Sequence, residues 1–235
     1  MKYTKRLDGR KFDESREMSA KVGIIKRADG SAMFCIGKTK AIAAVYGPRQ
    51  LFPGFLQNPE KGLLRCYYDM TSFSVTERKR PGPNRRSVEI GMVTENALNP
   101  VVDLSKFPNT VVDIFIEIIQ ADAGTRCAGI CAAAMALADA GVPMKDLICS
   151  ISVGKVGDKI VLDLNKDEED FEGGSTDIPV AIMARTKEIT LLQLDGDIKR
   201  EELIEALKVA QKGCDKIYEI QRKALKDQYE GVKDE

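Results

Sequence analysis

Residues 110–120 are apolar and β-branched, the pattern of a buried strand, and residues 127–141 follow as a run dominated by Ala and Cys. That run ends in Gly141 before Val142-Pro143, a helix stop, so strand, tight turn and buried helix are expected in succession. Upstream, 18–25 and 32–36 flank Asp29-Gly30 and read as a hairpin, 39–46 as a buried strand, and 63–75 as another. The segment 50–62 carries Pro53, Gly54, Pro59 and Gly62 and reads as a surface loop. Helical spacing through Val88, Met92 and Val93 predicts a helix over 87–98, stopped by Asn99-Pro100. Downstream, 147–156 and 159–164 form a hairpin over Gly157-Asp158. An acidic loop, 167–177, leads into a strand at 178–183 with a hairpin partner at 188–194. The stripe Leu203, Ile204, Leu207, Ala210, Cys214 and Ile217 predicts a long amphipathic helix over 198–225.

This order predicts an α/β (α+β) fold of mixed sheets plus helices, built as one domain over 1–235 with two loosely similar halves. Residues 1–16 form a charge-dense arm and 227–235 a charged, disordered tail. The arm reads either as solvated or as an ion-pair network docked on a neighbour.

Composition narrows the chemistry. Lys+Arg and Asp+Glu are both 36, so bulk positive charge cannot hold nucleic acid, although a local basic site can. There is no histidine, which removes imidazole bases, Ser-His-Asp triads and His metal ligands together. The six cysteines contain no C-x-x-C pair and several lie in apolar runs, which predicts buried thiols in a reducing compartment. No apolar run approaches membrane-spanning length, and the expected setting is soluble and cytoplasmic.

Three stretches carry candidate chemistry. Gly124, Thr125 and Arg126 stand at the N-terminus of the Ala-rich helix, where free backbone N–H groups and the positive dipole end suit a phosphate. Taken by itself, the stretch is read more simply as close helix-on-sheet packing. The segment 77–86 breaks regular structure and carries Arg78, Lys79, Arg80, Arg85 and Arg86 against one acid. Arginine suits bidentate phosphate contacts, so the segment is either an RNA or phosphate clamp or a solvated loop. Asp177 stands at the mouth of the 178–183 strand, after the acidic cluster. A phosphate cradle, a phosphodiester clamp and a carboxylate are the parts that phosphoryl transfer to inorganic phosphate requires.

Six blocks, in order, carry a resemblance over nearly the whole chain. They are Arg-x-Asp-Gly-Arg at 6–10, Ala-Val-Tyr-Gly-Pro-Arg at 44–49, Asn-Arg-Arg at 84–86, Gln-Ala-Asp-Ala-Gly-Thr-Arg at 120–126, Ala-Leu-Ala-Asp-Ala-Gly-Val-Pro-Met at 136–144, and Thr-Asp-Ile-Pro-Val-Ala at 176–181. Together they resemble the RNase PH family, and within it the catalytic ring subunits of archaeal exosomes. The resemblance implies two similar βαβ-type halves and a six-membered ring alternating this chain with an inactive RNase PH-like paralogue. It also implies a cap of RNA-binding subunits, and single-stranded RNA as substrate. The implied reaction is processive 3′→5′ phosphorolysis with inorganic phosphate as co-substrate, releasing nucleoside diphosphates; its reverse adds RNA tails.

By position, Gly124, Thr125 and Arg126 would bind the attacking phosphate, with Thr125 where some relatives use Ser. Arg85 and Arg86 would hold the RNA backbone, with Arg78 beside them in the basic segment, and Arg65 with the 50–62 loop would lie near the channel constriction. Asp177 would act as general acid or as a ligand for Mg2+, and Asp170 corresponds, within about one residue of register, to the second carboxylate. Two relatives of different role fit less well. The family's non-catalytic scaffold subunit should lack Arg126 or Asp177, and the stand-alone bacterial tRNA-trimming enzyme carries a longer basic insertion than Arg78–Arg86.

Overall fold

The computed structural model describes residues 3–230. Nine strands and four helices follow in the order β1 (Met18–Val22), β2 (Gly30–Ile36), β3 (Thr39–Gln50), β4 (Leu63–Met70), α1 (Arg85–Leu98), β5 (Thr110–Gln120), α2 (Thr125–Asp139), β6 (Ile148–Val156), β7 (Lys159–Leu162), α3 (Lys166–Glu169), β8 (Ser175–Met183), β9 (Ile189–Leu192) and α4 (Arg200–Glu230). The first sheet has the order β1-β2-β3-β5-β4 and the second the order β7-β6-β8-β9. β4 runs parallel to β5, its crossover being α1, while every other pairing between strands is antiparallel.

The Ala-rich helix α2 lies between the two sheets, packed on β2, β3 and β5 on one side and on β6 and β8 on the other. Every residue from Cys127 to Leu137 is buried, so no polar face is needed, and the small side chains let both sheets approach. One continuous apolar cluster therefore runs from Phe34, Ile114 and Ile116 through Ile130 and Met135 to Ile151 and Val180. α4 closes the second sheet against β6 and β7 and reaches β1, while α1 covers β4 and touches β9.

The element order follows the hydropathy pattern, with local differences. β4 ends at Met70, because residues 71–75 turn, Ser74 N–H donating to Thr71 C=O at 3.0 Å. α1 begins at Arg85 rather than at Ser87. Asn84 and Ser87 form a reciprocal capping box, Ser87 N–H to Asn84 Oδ1 at 3.0 Å and Asn84 N–H to Ser87 Oγ at 2.8 Å. Arg85 and Arg86 are thus fixed on a first helical turn. The acidic loop contains the short helix α3, and β8 begins at Ser175, which puts Asp177 inside a strand rather than at its mouth. α4 continues through Glu230, so 227–230 are helical where a disordered tail was expected; the rest of the expected tail, 231–235, lies outside the described residues, as do arm residues 1–2.

The remaining arm docks on the second half of its own chain. Arg6 is 2 % exposed and pairs bidentately with the fully buried Glu168, Nε to Oε1 at 2.8 Å and Nη2 to Oε2 at 2.7 Å. Arg16 donates to both oxygens of Asp163, at 2.9 and 2.7 Å. Tyr3, Val156, Val161 and Leu164 form a small apolar cluster beneath this network.

Gly154 on β6 pairs with Asp177 on β8, and a Cβ built on it would lie 1.9 Å from Thr176 C=O. Gly154→Ala must therefore push the two strands apart beside Asp177. Overpacking of this kind costs about 1–3 kcal/mol or more. The expected result is a Tm lowered by several degrees together with reduced activity, read by calorimetry and turnover; an unchanged Tm would show that the strands give way freely.

Candidate active site

The turn between β5 and α2 is held in an uncommon shape. Ala123 and Gly124 both take positive φ, 55° and 64°. For Ala123 this conformation is sterically disfavoured and needs external support. Thr39 supplies it, its Oγ1 donating to Ala123 C=O at 2.7 Å and accepting from Asp122 N–H at 2.8 Å. Arg16 adds a bond from Nη1 to Asp122 C=O. Gly124 is the helix N-cap and has no side chain to satisfy the first-turn N–H groups, which stay available to an anion.

A cleft of about 1210 Å³ opens at this turn. Gly124, Thr125, Arg126 and Asp177 line it, with Arg78 and Arg86 from the basic segment and Glu169 and Asp170 from the acidic one. Residues from both halves of the chain thus converge. Of the sequence candidates, Arg85 does not line the cleft although it shares the first turn of α1 with Arg86. Arg65 sits on β4 outside the cleft, paired with Asp113 at 2.8 Å.

Asp177 accepts a hydrogen bond from Ser152 on β6. Burial lifts its carboxyl above the ordinary carboxylate range, against that hydrogen bond and the charge of Arg126, with Asp195 adding to the rise. Glu169 is pushed up to about 7, first by burial and then by the charge of Asp177. The charge of Asp177 thus disfavours the ionised form of Glu169 across the cleft. Asp170 differs. It is exposed at the C-cap of α3, its carboxylate drawn to Lys166 at 2.7 Å. Both acids line the cleft, and of the two Glu169 is the one whose carboxyl feels the charge of Asp177. The one-turn helix α3 sets this difference, and its capping box at Asn165 and Glu168 was not apparent in the acidic pattern.

Arg126 donates from Nη1 to Gln193, and its Nε is buried with no partner. Buried polar groups are normally satisfied, so this Arg126 atom is open to a further partner. Ser152, Glu169, Gln193 and Glu89 were missed by sequence reasoning, because strand pairing and helix packing bring Ser152 to Asp177 across 25 residues and Gln193 to Glu89 across 104. Among the described residues, no group of three or more His, Cys, Asp or Glu could hold a metal ion by itself.

Comparison with known proteins identifies the relatives of this chain. Residues 14–143 match domain 1 of the 3′ exoribonuclease family RNase PH, and residues 146–213 match domain 2. The chain is 56% identical over 225 residues to "Exosome complex component Rrp41" of Thermococcus gammatolerans, covering 96% of this chain and 90% of that one. It is 51% identical over 226 residues to the protein of the same name from Methanopyrus kandleri, covering 96% and 94%. Among solved structures, rice (Oryza sativa) Rrp46 superposes with a TM-score of 0.83 at 24% identity, covering 94% of this chain and 100% of that one. A chain of the Archaeoglobus fulgidus exosome with RNA bound to the active site superposes with a TM-score of 0.79 at 23% identity, over 92% of each. At those identities the structural likeness speaks for the fold, while the matches over the length of the chain speak for descent. The chain belongs to the RNase PH family of 3′ exoribonucleases.

Proposed function

We propose that this chain is the catalytic ring subunit of an archaeal-type exosome and shortens single-stranded RNA from its 3′ end by phosphorolysis. One observation carries the reading. A helix N-terminus with no side-chain cap and with Arg126, a basic segment with Arg78 and Arg86, and a carboxyl of raised pKa at Asp177 share one cleft.

In this reading inorganic phosphate sits on the N–H groups of Thr125 and its neighbours, beside Arg126. Arg86 and Arg78 hold the last phosphodiester, with Arg85 alongside, and Arg65 acts farther off on the incoming strand. An oxygen of the bound phosphate attacks phosphorus, and the bond from phosphorus to the 3′ oxygen breaks. Protonated Asp177 gives its proton to that leaving oxygen, so RNA ends in a 3′-hydroxyl and a nucleoside diphosphate departs. The reverse reaction extends RNA. Asp170 serves at the rim, and Glu169 tunes the proton on Asp177. As the alternative to the general-acid role, ionised Asp177 with Glu169 would hold Mg2+ beside the substrate phosphates and water, where the ion would neutralise phosphate charge. The partners in this reading are an inactive RNase PH-like paralogue, completing a ring of three heterodimers, and RNA-binding cap subunits, in the cytoplasm. No described helix is long and apolar enough to cross a membrane.

The presence of both Arg126 and Asp177 favours this over a scaffold role. Labelled RNA incubated with the assembled complex should yield diphosphates only when phosphate is added. Arg126→Ala should raise the phosphate KM about 10- to 100-fold, the range expected for charge-assisted hydrogen bonds. Monophosphates formed without phosphate would replace this reading with hydrolysis.

A further inference from the structure

Arg126 is the first-turn residue whose side chain must be aimed, and a relay on the opposite wall aims it. Gln193 follows β9, tied to the second sheet by its N–H donating to Pro179 C=O at 3.1 Å. Its side-chain Nε2 donates to Glu89 Oε1 on α1 at 3.0 Å, and its Oε1 accepts from Arg126 Nη1. Arg126 Nη2 stays 3.9 Å from Glu89 Oε1.

The chemistry leaves this amide one orientation. An ionised carboxylate only accepts and a guanidinium only donates, so Nε2 must face Glu89 and Oε1 must face Arg126. The amide is also a neutral spacer. It holds Nη1 while keeping the Glu89 carboxylate out of hydrogen-bond range of Nη2, where a close carboxylate–guanidinium pair would occupy the donors an anion needs. The three residues come from α1, α2 and the position just after β9, so the relay also bridges both halves of the chain.

We infer that Gln193, oriented by Glu89, is a positioning residue that holds Arg126 ready for phosphate and keeps Glu89 from neutralising it. The inference rests on the proposed role of Arg126. It deepens that role by naming what sets the affinity for the anion. Without Gln193, the Glu89 carboxylate can close on Arg126 and compete with phosphate.

The test measures kcat and the KM values for phosphate and for RNA on the assembled complex. Gln193→Ala should raise the phosphate KM about tenfold, the loss of one charge-assisted hydrogen bond, with kcat within about threefold. The RNA KM and the Tm should stay unchanged, which a merely structural defect would not allow. Glu89→Gln, which keeps an acceptor for Nε2, should change the phosphate KM less than Glu89→Ala does. In an Arg126→Lys background, Gln193→Ala should add less than about twofold, because a residue acting through Arg126 has nothing left to position. An unchanged phosphate KM in Gln193→Ala, or its full effect persisting over Arg126→Lys, overturns the inference while the phosphate site stands. If Arg126→Lys itself leaves the phosphate KM unmoved, the assignment of Arg126 falls and this inference with it.

Discussion

Asp177→Asn is expected to slow diphosphate release by about 10²- to 10⁴-fold, the range a positioned general acid contributes. The substitution preserves shape and leaves an oxygen to accept from Ser152. What it removes is the proton. Because burial raises the Asp177 carboxyl, more of it is protonated near neutrality than an ordinary aspartate would be. The rate should accordingly fall as pH rises through that raised pKa, and the fall should vanish in Asp177→Asn. Glu169, pushed up to about 7, titrates in the same cleft, so Glu169→Gln should lower the apparent pKa of the profile by removing a like charge.

Stability should move the other way. A carboxyl whose folded pKa is raised favours folding below its unfolded pKa and loses that advantage as pH rises through the folded value. At neutral pH the ionised Asp177 therefore opposes folding, and Asn in its place should leave Tm equal or higher. A variant with near-normal turnover, or one that is inactive only because its Tm has collapsed, would remove Asp177 from the chemistry.

The parts legible in the sequence were those decided by local pattern. β5 shows as an apolar β-branched run, α2 as an Ala-rich run closed at Gly141, and Gly124 to Arg126 as the first turn after a strand. The position of α2 between two sheets explains why its sequence lacks a polar face, a pattern that by itself signals only burial. Features that depend on pairing were not legible. Ser152 becomes Asp177's partner only because β6 pairs with β8, and Gln193 meets Glu89 only because α1 packs beside β9. Glu169 and Asp170 are adjacent acids that composition cannot separate; one turn of helix leaves the second exposed beside Lys166, while the first is buried enough to feel the charge of Asp177. The arm was ambiguous for a similar reason. Its arginines advertised ion pairs, but their acids, Glu168 and Asp163, lie more than 140 residues away.

Those distant pairs give the largest expected effect on stability. Arg6→Ala leaves the Glu168 carboxylate buried without its bidentate partner, since both side chains are 0% exposed. Removing one member of a buried pair costs about 3–5 kcal/mol, because the remaining charge keeps its desolvation cost. For a chain of this size that corresponds to a Tm lower by about 6–20 °C. Burial alone would raise the Glu168 carboxyl, yet Arg6 and the Tyr3 hydroxyl, donating at 2.7 Å, hold it below the usual range. A depressed folded pKa means stability that is present above the unfolded value, about 4.3, and is lost as pH falls through the folded one. The gap between wild type and Arg6→Ala should thus be widest near neutral pH and close below about pH 4. Arg6→Met combined with Glu168→Leu should recover most of the loss by removing both charges. Glu168 directly precedes Glu169, so the arm also holds the acidic turn against the cleft, and Arg6→Ala should broaden the pH profile of turnover even well below its Tm. A gap that stays constant to pH 3 would mean that the arm contributes packing through Tyr3 and Phe12, with Glu168 already protonated in its pocket.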